Sequence, residues 1–137
     1  MQSSEPGRKD APAVPDDAGV SFVMPVLNER DYMRRAVETV LAQELDVPFE
    51  LILALGPSTD GTTELARQIA AADERIVLVD NPAADIPIGL NTAIRAGSYP
   101  TIVRVDAHSE LEPDYTRRAL ETLDRVRSGD ADQPCLV

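Results

Sequence analysis

Hydrophobic positions along the chain fall into two alternating kinds of stretch. Short runs dense in Val, Ile, Leu and Phe occur at residues 20–24, Phe49–Leu55, 75–80 and 101–106, each of strand length and too short for a stable helix. Between them apolar residues recur every three or four positions. Residues 29–43 put Tyr32, Ala36, Val37, Val40 and Leu41 on one stripe. A second helix runs through Leu65, Ile69 and Ala72, a third over 87–96 with Gly97 as its C-cap. A last one, opened by Glu112-Pro113 and ended by Gly129, buries Tyr115, Ala119, Leu123 and Val126.

Turn residues mark the ends of these elements. Pro25 lacks a ladder N–H and stops the first strand; Asn28 reads as an N-cap, with Glu29 and Asp31 in the first turn that follows. Gly56-Pro-Ser-Thr-Asp-Gly61 is a dense turn, after which Asp60 or Thr62 caps the next helix. The second strand, a continuous apolar run, is expected to be buried on both faces. Strand and helix alternating four times predict parallel βαβ units with right-handed crossovers, an α/β fold. Ligands of such sheets gather beyond the carboxyl ends of the strands. Here those ends are 25–29, 55–61, 80–82 and 106–108, where polar and turn residues concentrate.

Residues 1–18, mostly Ser, Pro, Asp and Glu, predict a disordered leader, and 19–137 the domain. Gln133-Pro-Cys-Leu-Val137 reads as the start of a fifth strand, so the sheet is expected to be truncated. A length of 137 residues allows one modest core. With 13 basic against 24 acidic residues the net charge is -11. Such a field argues against nonspecific binding of nucleic acid or anionic lipid. An anionic ligand would need a local arrangement of N–H groups, Arg or a cation. No stretch has the length and apolarity of a membrane segment. The single Cys135 excludes an internal disulfide and fits a cytoplasmic location.

Asp106-Ala-His108 carries the sharpest candidate chemistry. In an extended segment, positions i and i+2 share a side, so carboxylate and imidazole could converge on one cation. That pair suits Mn²⁺ better than Mg²⁺, which prefers oxygen ligands. Turn capping and a local backbone hydrogen bond explain the same two residues equally simply. Arg104 would share that side, either gripping a phosphate or pairing with Asp80 or Asp106. Pro25-Val-Leu-Asn-Glu29 could expose backbone groups to a base, with Glu29 as an added acceptor, or merely start a helix. The 58–62 turn lacks the Lys and glycine spacing of a phosphate loop, and no Gly-x-Ser-x-Gly elbow accompanies the lone His108. Tyr32 and Tyr115, on apolar helix faces, are expected in the core.

Taken in order, Val20-Ser-Phe-Val-Met-Pro-Val-Leu-Asn-Glu29, Gly56-Pro-Ser-Thr-Asp-Gly-Thr62, Gly89-Leu-Asn-Thr-Ala-Ile-Arg-Ala-Gly97 and Val103-Arg-Val-Asp-Ala-His108 resemble family 2 glycosyltransferases of GT-A type. The last two, with Pro113-Asp-Tyr115, are most similar to the succinoglycan-type bacterial polysaccharide glycosyltransferases, in which Asp-Ala-His replaces the usual Asp-x-Asp. The resemblance implies a Rossmann-like three-layer sandwich, an inverting transfer from a nucleotide-diphosphate sugar to a glycan or lipid-linked acceptor, and a divalent cation, Mn²⁺ or Mg²⁺. It implies Pro25, Leu27 and Glu29 in the nucleotide pocket and Asp106 and His108 at the ribose, diphosphate and metal. Leu27 stands where the family usually has an aromatic, and Leu55 where it has a base-reading Asp, so the nucleotide is left open. The family's catalytic base and acceptor site belong to a later half that this chain lacks. The competing reading is a non-catalytic nucleotide-binding or interaction module derived from that fold. A response-regulator-like fold would need an acidic cluster where Pro25-Val-Leu27 stands.

Overall fold

The computed structural model describes residues 19–129; the expected leader and the start of a fifth strand lie outside them. Four strands, β1 (Val20–Val26), β2 (Phe49–Leu55), β3 (Ile76–Asp80) and β4 (Thr101–Arg104), alternate with α1 (Met33–Leu41), α2 (Thr62–Ala72), α3 (Ile86–Ala96) and α4 (Tyr115–Gly129). The sheet is all parallel, in the order β3-β2-β1-β4. The chain thus grows from β1 to one side through β2 and β3, then crosses back to lay β4 on the other flank. That reversal makes the β1/β4 boundary the switch point of the sheet.

Side chains alternate across the sheet and fill two cores. On one face Val20, Phe22, Met24, Val26, Leu51, Leu53 and Val103 pack with Met33, Ala36, Val37 and Val40 of α1, Ala66 and Ile69 of α2, and Leu120 of α4. The other face is thinner: Val23, Ile52 and Ala54 meet Ala93 and Leu90 of α3. Leu51 through Leu55 are buried throughout, as the unbroken apolar run predicts.

Several expectations are corrected. β1 does not stop at Pro25 but runs through it to Val26. The Val23 carbonyl accepts the Val105 N–H at 2.9 Å, and the Val26 carbonyl accepts the Gly56 N–H at 2.8 Å. Odd positions of β1 therefore bond toward β4 and even ones toward β2. Pairing with β4 ends at Val23↔Arg104, so the missing N–H of Pro25 faces a gap where no ladder bond is lost.

Asn28 is not an N-cap. It adopts φ 53, regular helix begins only at Met33, and no side chain caps α1. Tyr32 is 60% exposed and Tyr115 39%. The core stripe of α1 is Met33, Ala36, Val37 and Val40, one residue out of phase with Tyr32. In α4 Leu123 is buried as expected, joined by Thr116 and in part by Leu120, while Tyr115 is not. β4 ends at Arg104 rather than at Asp106. α3 is capped by Asp85, whose Oδ1 accepts the Ile88 N–H at 3.0 Å, with Pro87 in its first turn.

Candidate functional site

Beyond the strand ends lies a cleft of about 280 Å³. Its wall comes from the ends of all four strands: Pro25 and Val26 at the end of β1 with Leu27 and Glu29 after it, Gly56 after β2, Asn81, Ala84 and Ile86 after β3, and Arg104 at the end of β4 with Asp106–Ala107–His108 after it. It lies where β1 runs on past its last pairing with β4, at Val23↔Arg104, which parts the two strands at the switch point.

The β1 side of the cleft is held by the turn after β2. Asn28 Oδ1 accepts the Thr59 N–H at 2.8 Å, while the Asn28 N–H donates to Ser58 Oγ at 2.9 Å. The Glu29 N–H donates to Thr62 Oγ1 at 3.0 Å and the Arg30 N–H to Asp60 Oδ2 at 3.4 Å. Asp60 Oδ1 in turn accepts the Thr62 hydroxyl and, at 3.1 Å, the Thr62 N–H. The Thr62 hydroxyl chiefly holds the Asp60 carboxyl below its ordinary value, joined by backbone N–H donors. Gly61 takes φ 94 at the mouth of α2, a conformation costly for any other residue. The 58–62 segment is thus a clamp on the backbone of residues 28–30, which explains the dense turn signal without any phosphate.

On the opposite side the Ser109 N–H closes a turn onto the Asp106 carbonyl at 3.0 Å. Asp106 and His108 therefore meet the cleft through a turn and not through strand alternation. Asp106 Oδ1 lies 3.4 Å from an Arg104 guanidinium nitrogen, with both side chains 47% exposed. His108 Nδ1 lies 3.4 Å from Glu29 Oε2, bridging the two walls. Ala107 between them is buried in the core, which fixes the turn while its neighbours stay accessible.

The far end of this segment is equally anchored. Thr39 Oγ1 accepts the Leu111 N–H at 3.1 Å, and the Glu44 N–H donates to the Pro113 carbonyl at 2.9 Å. Gln43 Nε2 donates to the Glu112 carbonyl at 2.7 Å.

Of the residues singled out from sequence, Pro25, Leu27, Glu29, Arg104, Asp106 and His108 line one cleft. Leu55 does not: it is buried in the larger core and borders a separate hollow with Asp80 and Pro82. Asn81 falls in the 80–82 strand end marked from sequence but was not singled out there, and Ala84 and Ile86 were not foreseen. Among the described residues no three His, Cys, Asp or Glu side chains gather into a protein-only metal cage. No described helix is long and apolar enough to cross a membrane.

A doubly wound parallel sheet with a cleft at its switch point defines the open α/β class, whose ligands bind in that crevice. The model of Glycosyl transferase family 2 matches residues 21–133, and the chain belongs to that family. Among curated relatives, the succinoglycan biosynthesis protein ExoA of Rhizobium meliloti is 34% identical over 103 residues, which is 73% of this chain and 31% of ExoA. ExoO of the same organism is 32% identical over 114 residues, 82% of this chain and 32% of ExoO. The chain thus spans about a third of the length of these relatives.

Among solved structures, the mannosyltransferase PcManGT of Pyrobaculum calidifontis, determined with GDP-Man and Mn²⁺, superposes with a TM-score of 0.64. It is 25% identical, and the match covers 76% of this chain and 32% of that one. TarS of S. aureus, determined with UDP, gives a TM-score of 0.66 at 17% identity over 78% of this chain and 32% of that one, a likeness of fold. The α/β sandwich expected from sequence is thereby the GT-A fold of these enzymes, of which this chain covers part.

Proposed function

We propose that this chain is the donor-binding part of a glycosyltransferase that moves a sugar from a nucleotide-diphosphate sugar to an acceptor hydroxyl in polysaccharide or glycolipid synthesis. The carrying observation is that Arg104, Asp106 and His108 from β4 face Pro25, Leu27 and Glu29 from β1 across one cleft at the switch point. The crossing of the sheet sets apart two ends. The end at Leu27, whose apolar side chain is 43% exposed, suits a base and ribose; Glu29, 3.4 Å from His108, stands between the two ends as an acceptor for hydroxyl groups. The Arg104–His108 end suits the diphosphate.

The donor set fits a divalent cation shared with the ligand. Asp106 and His108 would hold it, offering one oxygen and one nitrogen from a single turn, both accessible. This mixed set favours Mn²⁺ over Mg²⁺. When bound, the cation would offset the diphosphate charge and stabilise the leaving group as a Lewis acid. PcManGT, determined with GDP-Man and Mn²⁺, supports that choice. Arg104, released from Asp106, would place a guanidinium on the same phosphates. In a chain of net charge -11 these local positive groups are what admit an anionic donor.

The reaction is a single displacement with inversion. The acceptor oxygen forms its bond to the anomeric carbon as the bond to the diphosphate oxygen breaks, with the electron pair leaving on the diphosphate. The acceptor proton passes to a carboxylate base that the resemblance assigns to the later half of such enzymes. A cytoplasmic setting belongs to the proposal and is supported by the single cysteine.

Calorimetric titration of UDP- and GDP-sugars into the 137-residue chain, with and without Mn²⁺, tests the reading. Mn²⁺-dependent binding that Asp106→Ala abolishes is the expected result. A folded chain that binds neither donor at millimolar concentration would leave the non-catalytic module as the better account.

A further inference from the structure

β4 forms one edge of the sheet, and no strand lies beyond it among the described residues. Its register with β1 pairs Ser21 with Ile102 and Val23 with Arg104, and the Val105 N–H donates to the Val23 carbonyl at 2.9 Å. In a parallel ladder a residue bonds to the neighbours of the one opposite, so Thr101, Val103 and Val105 turn their backbone groups toward β1. The N–H and C=O of Ile102 and Arg104 point the other way, and among the described residues nothing bonds to them. On the opposite edge the Ile76 N–H is taken by the Asp73 carbonyl at 3.1 Å, so β3 is partly closed. β4 has a single charge, Arg104, and no Pro to protect its edge, while Val103 and the following Val105 are buried. An open edge of that kind is a template for another strand.

We propose that this edge is a docking surface for Gln133–Val137 of the same chain, laid antiparallel to β4, and that the pairing steadies Arg104 and the Asp106–His108 turn. The docking stands on the fold alone; its effect on Arg104 rests on the donor-site reading above. Sequence order and charge choose the occupant. Elements next in sequence are mostly neighbours in space, and 133–137 follows α4, which follows β4. A second copy is opposed by a net charge of -11 on each chain, whereas residues 133–137 carry no charged side chain. The direction follows from handedness. Leu120 puts α4 on the sheet face that α1 and α2 cover. From that face right-handed crossovers step from β1 to β2 to β3, so a parallel strand outside β4 would need a left-handed one. An antiparallel strand escapes the restriction. With Gln133, Cys135 and Val137 turning their backbone groups to β4, Pro134 leaves its missing N–H outward, where no ladder bond is lost and further strands are blocked. Leu136 then falls on the Val103 face, which α4 covers, and Cys135 on the Ile102 face.

The test is ¹⁵N-edited spectroscopy of the 137-residue chain. Cross-strand contacts should join the amides of Ile102 and Arg104 to residues 133–137 in antiparallel order. Both amides should exchange at least about tenfold more slowly than in Leu136→Asp, which puts a charge on the covered face. UDP or GDP in Mn²⁺ should bind Leu136→Asp about three- to tenfold more weakly than the native chain. Fast exchange at both amides of the native chain, or contacts in parallel order, overturns the proposal, and neither result needs a variant that folds. Slow exchange that is lost on dilution gives the edge to a second copy and overturns it as well. A protected edge with donor affinity unchanged in Leu136→Asp overturns the support of Arg104. A protected edge in a chain that binds no donor overturns the donor-site reading and leaves the docking standing.

Discussion

Gln43 should be among the most costly polar residues to remove, because it fastens the segment that carries His108. It is 6% exposed. Its Oε1 accepts the Thr116 N–H at 2.9 Å and the Thr116 hydroxyl at 2.6 Å, and its Nε2 donates to the Glu112 carbonyl at 2.7 Å and the Thr39 carbonyl at 3.2 Å. Thr116 itself is fully buried. Gln43→Leu keeps the volume but strands the Thr116 N–H, its hydroxyl and the Glu112 carbonyl. At about 1 kcal/mol for each stranded group, the low end of the usual range, the loss is about 3 kcal/mol. That is a large part of the 5–15 kcal/mol typical of a domain. Urea denaturation followed by circular dichroism should show the midpoint falling with the slope unchanged. Donor binding in Mn²⁺ should weaken even where the variant is fully folded, because the 105–115 segment loses its far anchor. A loss below about 1 kcal/mol with unaltered donor binding would refute the view that Gln43 supports the site.

Other consequences follow from the same geometry. Gly89→Ala should destabilise the chain by about 1–3 kcal/mol in the same denaturation assay, since the new methyl meets the Asn81 amide. Asn28→Ala loses the bond to Thr59 and forces Ala into φ 53, so a cost of about 1–3 kcal/mol and faster amide exchange at Thr59 are expected. The Asp60 carboxyl is held below its ordinary value of 3.8 when folded. Its contribution is therefore complete above that value and is lost as pH falls through the lower folded one. Chemical shifts of Thr62 and Arg30 followed from pH 5 downward should move only below the ordinary carboxylate range, and movement centred near pH 4 or above would contradict the clamp.

The strands and helices were legible because the apolar runs are short and separated by strong turn residues, and burial on two faces leaves no other use for 51–55. Tertiary contacts decided what the sequence could not. Pro25 reads as a strand stop from its own chemistry, yet its missing N–H faces the gap left by β4, a fact of strand order alone. Asn28 has the composition of a cap, but the partner of its side chain is Thr59, 31 residues away. Tyr32 shares helical spacing with Ala36 yet lies just before the first regular turn, so the stripe begins at Met33. The cleft residues at β1 and β4 could be found from strand ends and spacing. Asn81 lay within the strand end at 80–82, but that its side-chain oxygen is left without a partner among the described residues is a fact of packing alone.

The central claim of the proposal is that Asp106 and His108, just past β4, share one cation with a nucleotide diphosphate. Paramagnetic broadening by Mn²⁺ in ¹⁵N-edited spectra reads that location directly. With UDP or GDP present, substoichiometric Mn²⁺ should broaden the amides of Asp106, Ala107, His108 and Glu29 first, and His108→Ala should remove the effect. Broadening centred on other acidic surfaces, or unchanged by His108→Ala, would contradict the account.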